Sequence, residues 1–205
     1  MLNNPDLPEK GRVELAKTIY EEADRLNRLV RNLLDMTRLE SGAVELNWQW
    51  HSMEELIGGA LQRTERLLAS RKVDIALEPD LPLIRADGVL LEQVLINLIE
   101  NAARHTPEGT PIKLRVSVSG GFLRVEVADE GPGIPLDEQE EIFDKFTRGK
   151  GAKQGTGFGL GLAICRSILA AHQGRIWARN RPEGGANFIF ELPVAAAQPE
   201  VPVEA

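Results

Sequence analysis

The chain has 205 residues, 42% of them hydrophobic and 27% charged, with a formal net charge of −7. That length holds one domain of ~150 residues plus an appendage, and the single cysteine, Cys165, excludes an intramolecular disulfide and is compatible with a reducing cytoplasm. The acidic balance argues against nucleic acid as a partner, and no apolar run approaches the ~18 residues of a membrane span.

Residues 9–40 read as one long helix. Ile19, Leu26 and Leu33 repeat every seven positions, Leu29 and Met36 sit at +3, and Ala23 and Val30 at +4, with charges over the rest. That is a bundle or coiled-coil seam, stopped at Ser41-Gly42. Residues 44–50 alternate and predict a strand. Ser52 predicts an N-cap, with Glu55 completing a capping box, for a helix running to about Ser70. Residues 73–77 read as a strand, Pro79, Asp80 and Pro82 as a turn, and Leu83 to Arg85 as extended chain. Asp87 caps the next helix. Residues 112–119 and 122–128 form a hairpin around Gly120-Gly121. Residues 135–155 are polar and glycine-bearing and read as a mobile lid. A helix follows over 159–172, closed by Gly174, and then a hairpin of 175–180 with 187–192. The tail, 195–205, reads as disordered. Strands and helices segregate, so the expected fold is α+β, a two-layer sandwich of a mixed β-sheet and helices over 42–194, preceded by the long helix of 1–41.

The segment 94–106 carries the first chemical signal. Asn97, Asn101, Arg104 and His105 stand at i, i+4, i+7 and i+8 and share one helix face, while Leu91, Leu95, Leu98, Ile99 and Ala102 take the opposite one. Amide oxygens are hard ligands that suit Mg²⁺, and a cation two turns along suits phosphate. By itself the pattern fits a solvated face with a casual asparagine pair equally well. Two glycine clusters shift the balance. Asp129-Glu130-Gly131-Pro132-Gly133-Ile134 follows an apolar alternating run, which puts Asp129 at a strand end ahead of a tight turn. Gly155-Thr156-Gly157-Phe158-Gly159-Leu160-Gly161-Leu162 opens onto a helix, where backbone N–H groups and the helix dipole favour phosphate. The spacing fits neither G-x-G-x-x-G nor a P-loop, and protein-kinase signatures are absent.

In this order the motifs resemble the ATP-binding domain of sensor histidine kinases, within the wider gyrase/Hsp90/histidine kinase/MutL ATPase family. The matching stretches are Asn97 to Thr106, Asp129 to Ile134, Ile142 to Gly149 and Gly157 to Leu162. Residues 33–42, 142–149, 162–166 and 180–186 resemble the Kdp-type potassium-sensor kinases more closely. The resemblance implies two cofactors, ATP and Mg²⁺. Asn101 would be the metal ligand, with Asn97 in support. Arg104 would contact phosphate, and His105 would lie near the ribose and phosphates. Asp129 would accept a hydrogen bond from the adenine amino group, and Gly131, Gly133 and Ile134 would let the backbone approach the base. Phe143, Phe146 and Arg148 would belong to the lid. Thr156, Gly157, Phe158, Gly159 and Leu160 would cradle the phosphates, chiefly through backbone N–H groups. Phe158 departs from the family, where threonine is frequent, so a hydroxyl contact there is lost or passes to Thr156.

The resemblance also makes residues 1–41 the second helix of a truncated dimerisation hairpin. It implies a phosphoacceptor histidine on the first helix, upstream of Met1. The implied partners are that hairpin, a response regulator and, for the full-length protein, a second copy. The domain would be the cytoplasmic part of a membrane-anchored sensor for potassium or osmotic stress. None of His51, His105 or His172 has the acceptor's sequence setting, and His51 and His172 read as structural or surface residues. Two other readings compete: an autonomous ATPase, and a nucleotide-binding regulatory module without phosphotransfer. The first needs a carboxylate on the helix face to activate water, where this chain has Asn97; Glu100 points about 60° away from that direction.

Overall fold

Apolar residues at every second position build a sheet whose inner face meets a helical layer, and the chain alternates between the two. The structure is a computed structural model that describes residues 9–40, 45–147 and 159–195. In chain order it holds helix α1 (Glu9–Glu40), strand β1 (Gln49–His51), helix α2 (Met53–Leu68), β2 (Val73–Leu77), β3 (Ile84–Ala86), α3 (Gly88–Arg104), β4 (Ile112–Ser119), β5 (Phe122–Ala128), a 3₁₀ turn (Glu141–Phe143), α4 (Gly161–Ala171), β6 (Arg175–Asn180) and β7 (Ala186–Pro193). Five strands form one sheet in the order β2-β4-β5-β7-β6. The β2/β4 pair is parallel and the other pairs are antiparallel, so the sheet is mixed. A separate two-stranded ladder joins β1 to β3. The α+β two-layer architecture expected from the sequence is the one observed.

The core lies between the sheet and the helices. Leu91, Val94, Leu95, Leu98 and Ile99 of α3 are fully buried with Leu114, Val125, Val127 and Phe190 of the sheet and Ile164 and Ile168 of α4. On the opposite face of the sheet the Glu191 carboxylate is buried between two guanidiniums. Arg124 reaches one oxygen at 2.8 Å and Arg175 the other at 2.7 Å. A buried charge needs such partners, since alone its desolvation costs several kcal/mol or more.

Several boundaries differ from expectation, each for a local reason. The strand predicted over 44–50 begins only at Gln49, because its ladder partner β3 is three residues long; residue 44 lies outside the described residues. Ser52 has extended N-cap backbone but makes no side-chain cap, so the predicted capping box does not form. Gly174 does close α4, donating to the Leu169 carbonyl at 2.7 Å, but the left-handed residue at that turn is Gln173 (φ 60°). Asp87 caps α3 as predicted, its Oδ1 accepting from the Leu90 N–H at 3.2 Å. Helix α1 runs the full predicted length and touches α4, while Val13, Ile19, Leu26, Val30 and Leu33 of its predicted seam and flanks stay exposed.

Candidate nucleotide-binding site

Helix α3 is fixed at both ends. Its C-terminal carbonyls, which carry the negative end of the helix dipole, face the guanidinium of Arg71. Arg71 donates to the carbonyls of Ala103 (2.6 Å), Thr106 (3.1 Å) and Thr110 (3.2 Å) and to the Thr106 hydroxyl (2.6 Å). The residues just beyond Arg104 are thereby held in place. His105 is exposed, and its carbonyl faces the first glycine cluster: a Cβ on Gly131 would lie 2.9 Å from it and 3.0 Å from Asp129 Oδ1. Only glycine fits there.

Asp129 follows the last residue of β5 and is 3% exposed. It sits deeper than a strand-end residue on a loop. Its Oδ1 accepts from the N–H groups of Gly131 (2.8 Å) and Ala186 (3.1 Å), and no described residue donates to Oδ2. Burial pushes its pKa above the ordinary carboxylate value, opposed by those two N–H groups and by the nearby His105 and Arg181. The β6–β7 turn folds over this carboxylate. Arg181 donates to the Asp129 carbonyl at 2.7 Å, and Gly185 (φ 89°) packs against the same carbonyl. Asn180 grips the cluster's far end, accepting from the Ile134 N–H and donating to the Ile134 carbonyl, both at 2.7 Å. Gly133 (φ 80°) lies against that amide.

The asparagines of α3 divide their roles. Asn97 is half-buried and engaged, donating to the Gly161 carbonyl at 3.3 Å and accepting from Gln93 at 3.0 Å. It ties α3 to the first turn of α4. Asn101 is half-buried, and its amide makes no hydrogen bond to a described residue. Arg104 is exposed and paired with Glu100 at 2.6 Å. Both are held by that pair, which removes Glu100 still further from a general-base role. The Cys165 thiol is fully buried under this face and pushed up to about 12 by burial, against a hydrogen bond with Asn97, so it is no nucleophile.

The lid closes at its base. Phe146 donates its N–H to the Gly159 carbonyl at 2.9 Å, and Gly159 (φ 68°) packs on the backbone of Phe146 and Thr147. Phe146 itself is exposed, with a positive φ of 61°, while Phe143 is buried against Phe188. Leu160 is buried ahead of α4. Arg148, Thr156, Gly157 and Phe158 lie outside the described residues, as does all of the predicted lid beyond Thr147. Of the two histidines set aside, His172 is buried and His51 half-buried beside Gly88. The spacing of the motifs carries no sign of Arg71, Asn180, Arg181 and Gly185. Pro182-Glu183-Gly184-Gly185 marks a turn, but only the fold shows that the turn covers Asp129.

Residues 86–196 match the family of histidine kinase-, DNA gyrase B- and HSP90-like ATPases. Among curated relatives, the sensor protein KdpD of Escherichia coli (strain K12) is 44% identical over 194 residues; the match covers 94% of this chain but 22% of that protein. Among solved structures, full-length ShkA in complex with AMPPNP superposes with a TM-score of 0.79 at 32% identity, covering 98% of this chain and 42% of that one. Histidine kinase ThkA in complex with the response regulator protein TrrA superposes with a TM-score of 0.70 at 31% identity, covering 95% of this chain and 53% of that one. The chain belongs to the histidine kinase-, DNA gyrase B- and HSP90-like ATPase family, and within it is similar to the catalytic domains of sensor histidine kinases.

Proposed function

We propose that this chain is the nucleotide-handling part of a two-component sensor histidine kinase, which presents the γ-phosphoryl of Mg-ATP to a histidine outside the chain. One observation carries the reading: the Asp129 carboxylate, whose Oδ2 meets no donor among the described residues, lies beside the end of the helix whose Asn101 amide is unengaged by any described residue. A buried acceptor of that kind suits the adenine amino group, because guanine would turn a carbonyl toward it. The amide oxygen of Asn101 is a hard donor that suits Mg²⁺ arriving with the nucleotide. When bound, the metal neutralises phosphate charge. The chain's own part is to orient the base, hold the phosphates and aim the γ-phosphoryl, since phosphoryl transfer relies on positioning and electrostatics.

Helix α1 then serves as the second helix of a dimerisation hairpin in a homodimer, and a response regulator takes the phosphoryl onward. Likeness to KdpD supports potassium signalling, with this domain on the cytoplasmic side of a membrane-anchored sensor. Among the described residues no helix is long and apolar enough to cross a membrane.

Calorimetry tests the metal site. Asn101→Ala is expected to weaken Mg-ATP binding by about 1–3 kcal/mol, the scale of a charge-assisted contact, with the fold intact. Equal affinity in the variant would remove Asn101 from the metal. A second assay uses radiolabelled ATP. The isolated chain should bind it without acquiring an acid-labile, base-stable label, because transfer needs a nucleophile in line at about 3 Å and His172, for one, is buried. A label of that kind on this chain would place the acceptor within it.

A further inference from the structure

We propose that His172 is a positioning residue for nucleotide binding: as a neutral imidazole it pins the end of α4 to the start of α3 and fixes the register of these two helices. The inference rests on the nucleotide-binding reading above. His172 is the C-cap of α4 and is 3% exposed. Its Nδ1 lies 2.8 Å from the Ile168 carbonyl, and its Nε2 lies 3.0 Å from the Asp87 backbone N. A carbonyl only accepts and an amide N–H only donates, so Nδ1 carries the proton and Nε2 is the acceptor.

The acceptor's partner is the N-cap of α3. Asp87 caps the Leu90 N–H through Oδ1, and its Oδ2 accepts from the Asn47 N–H at 3.1 Å. Trp48 packs its ring against His172 in a T-shaped contact, centroids 5.3 Å apart. One ring therefore joins α3, α4 and the segment that leads from α1 into the domain.

A second tie between these helices is the bond from Asn97 to the Gly161 carbonyl, and between the two the Cys165 thiol lies 3.9 Å from the Val94 carbonyl. From Asp87 to Asn97 along α3, and from His172 back to Gly161 along α4, the span is about 15 Å in each case. Two ties that far apart fix both slide and tilt of an antiparallel pair. With the His172 tie lost, the C-terminal end of α4 is held against α3 by apolar packing and the Cys165 contact, and its tilt about the Asn97 end is less tightly fixed. The N-terminus of α4 carries Gly159 and Leu160 and meets Asn97 on α3, one helical turn before Asn101, so a change of tilt moves phosphate-binding groups relative to the metal ligand.

Protonation removes the tie. An imidazolium directs a second N–H at the Asp87 N–H, donor against donor, and the ring must turn away. The groups facing the ring are the Asp87 carboxylate from the β3–α3 junction, the Ile168 carbonyl from α4 and the uncharged indole of Trp48. Burial holds the ring's pKa below its ordinary value, against the opposing pull of the Ile168 carbonyl and Asp87. The neutral form is thus the native one at neutral pH.

The experiment measures Mg-ATP affinity by calorimetry between about pH 7.5 and 5 for the wild type, His172→Gln and His172→Phe. Glutamine reaches a similar distance and keeps an acceptor that does not titrate; phenylalanine keeps bulk without one. Ionisation of the nucleotide and of every other group is common to all three. The wild type should lose roughly five-fold more affinity than His172→Gln on acidification, and His172→Phe should be weaker than His172→Gln by roughly that factor at every pH, the scale of one hydrogen bond. Parallel curves for wild type and His172→Gln overturn the role of His172 alone. No binding by the wild type at any pH overturns the nucleotide reading and this inference with it. Should the variants not fold, ¹⁵N resonances of the wild-type ring decide. Ring titration must coincide with the loss of affinity, and a ring that stays neutral throughout that loss sinks the proposal.

Discussion

Asp129→Asn is expected to abolish the preference for adenine nucleotides while leaving the fold as stable as before, or more so. The two backbone N–H groups of Gly131 and Ala186 select the amide oxygen for the Oδ1 position. The amide NH₂ then occupies the Oδ2 position and meets the adenine amino group donor to donor. ATP affinity should fall roughly ten- to a hundred-fold, the 1.5–3 kcal/mol or so of a hydrogen bond to a charged group. GTP should suffer less, because its carbonyl finds a donor. Stability moves the other way. The folded-state pKa of Asp129 is raised above 3.8, chiefly by burial. The native state therefore holds its proton more tightly than the unfolded chain, and stability declines as pH rises from the unfolded value through the folded one. The asparagine variant has no such decline, so its advantage should grow over that window and persist at neutral pH. Denaturant unfolding across pH, with calorimetry for ATP and GTP, checks both halves. An unchanged ATP-to-GTP ratio would mean that Asp129 does not read the base.

Gly185→Ala should have the largest effect on the fold near the site. Two costs combine. At φ 89° an L-residue is strained by about 1–3 kcal/mol. The new Cβ would also meet the Asp129 carbonyl carbon and the Glu130 Cα at 2.8 Å, and backbone cannot give way as a flexible side chain does. Gly184 supplies the control. Its φ is 98°, yet a Cβ there meets nothing within 4 Å. Gly184→Ala should therefore show the strain alone, and Gly185→Ala the strain plus displacement of Asp129. Denaturation midpoints and ATP affinities of the two variants separate these terms. Equal losses in both would show that the turn does not press on Asp129.

What the sequence discloses follows from how local the cause is. The Asp87 cap and the β4–β5 hairpin at Gly120-Gly121 appear at their predicted places, because each rests on neighbours a few residues away. The amphipathic pattern of α3 is local too, and its apolar face is the buried one. The Ser52 capping box was equally local and still did not form, since a cap residue's type does not compel its hydrogen bond. The hidden features are contacts between distant segments. Arg71 reaches the end of α3, Asn180 grips Ile134, and His172 meets Asp87 across 85 positions. No periodicity encodes such pairs. The motif residues of the site were legible by resemblance; of the residues that hold them in place, Arg71 was not, and 180–186 stood out only as a resembling stretch with no role attached.

The register of β5 against β7 has a consequence for how the molecule assembles. Ala128 stands opposite Asn187, so the stretch between them is a single excursion that leaves one strand and returns on its immediate neighbour's side. That excursion contains Asp129, the first glycine cluster, the lid, α4 and β6. Hairpins such as β4–β5 close quickly because their ends are near in sequence, but a pairing that spans this much chain forms late. Until it forms, Ala186 is not beside Asp129, and the carboxylate has no fixed orientation. Recovery of nucleotide binding during refolding should therefore track the slowest sheet-forming phase, after most of the helical signal has already returned.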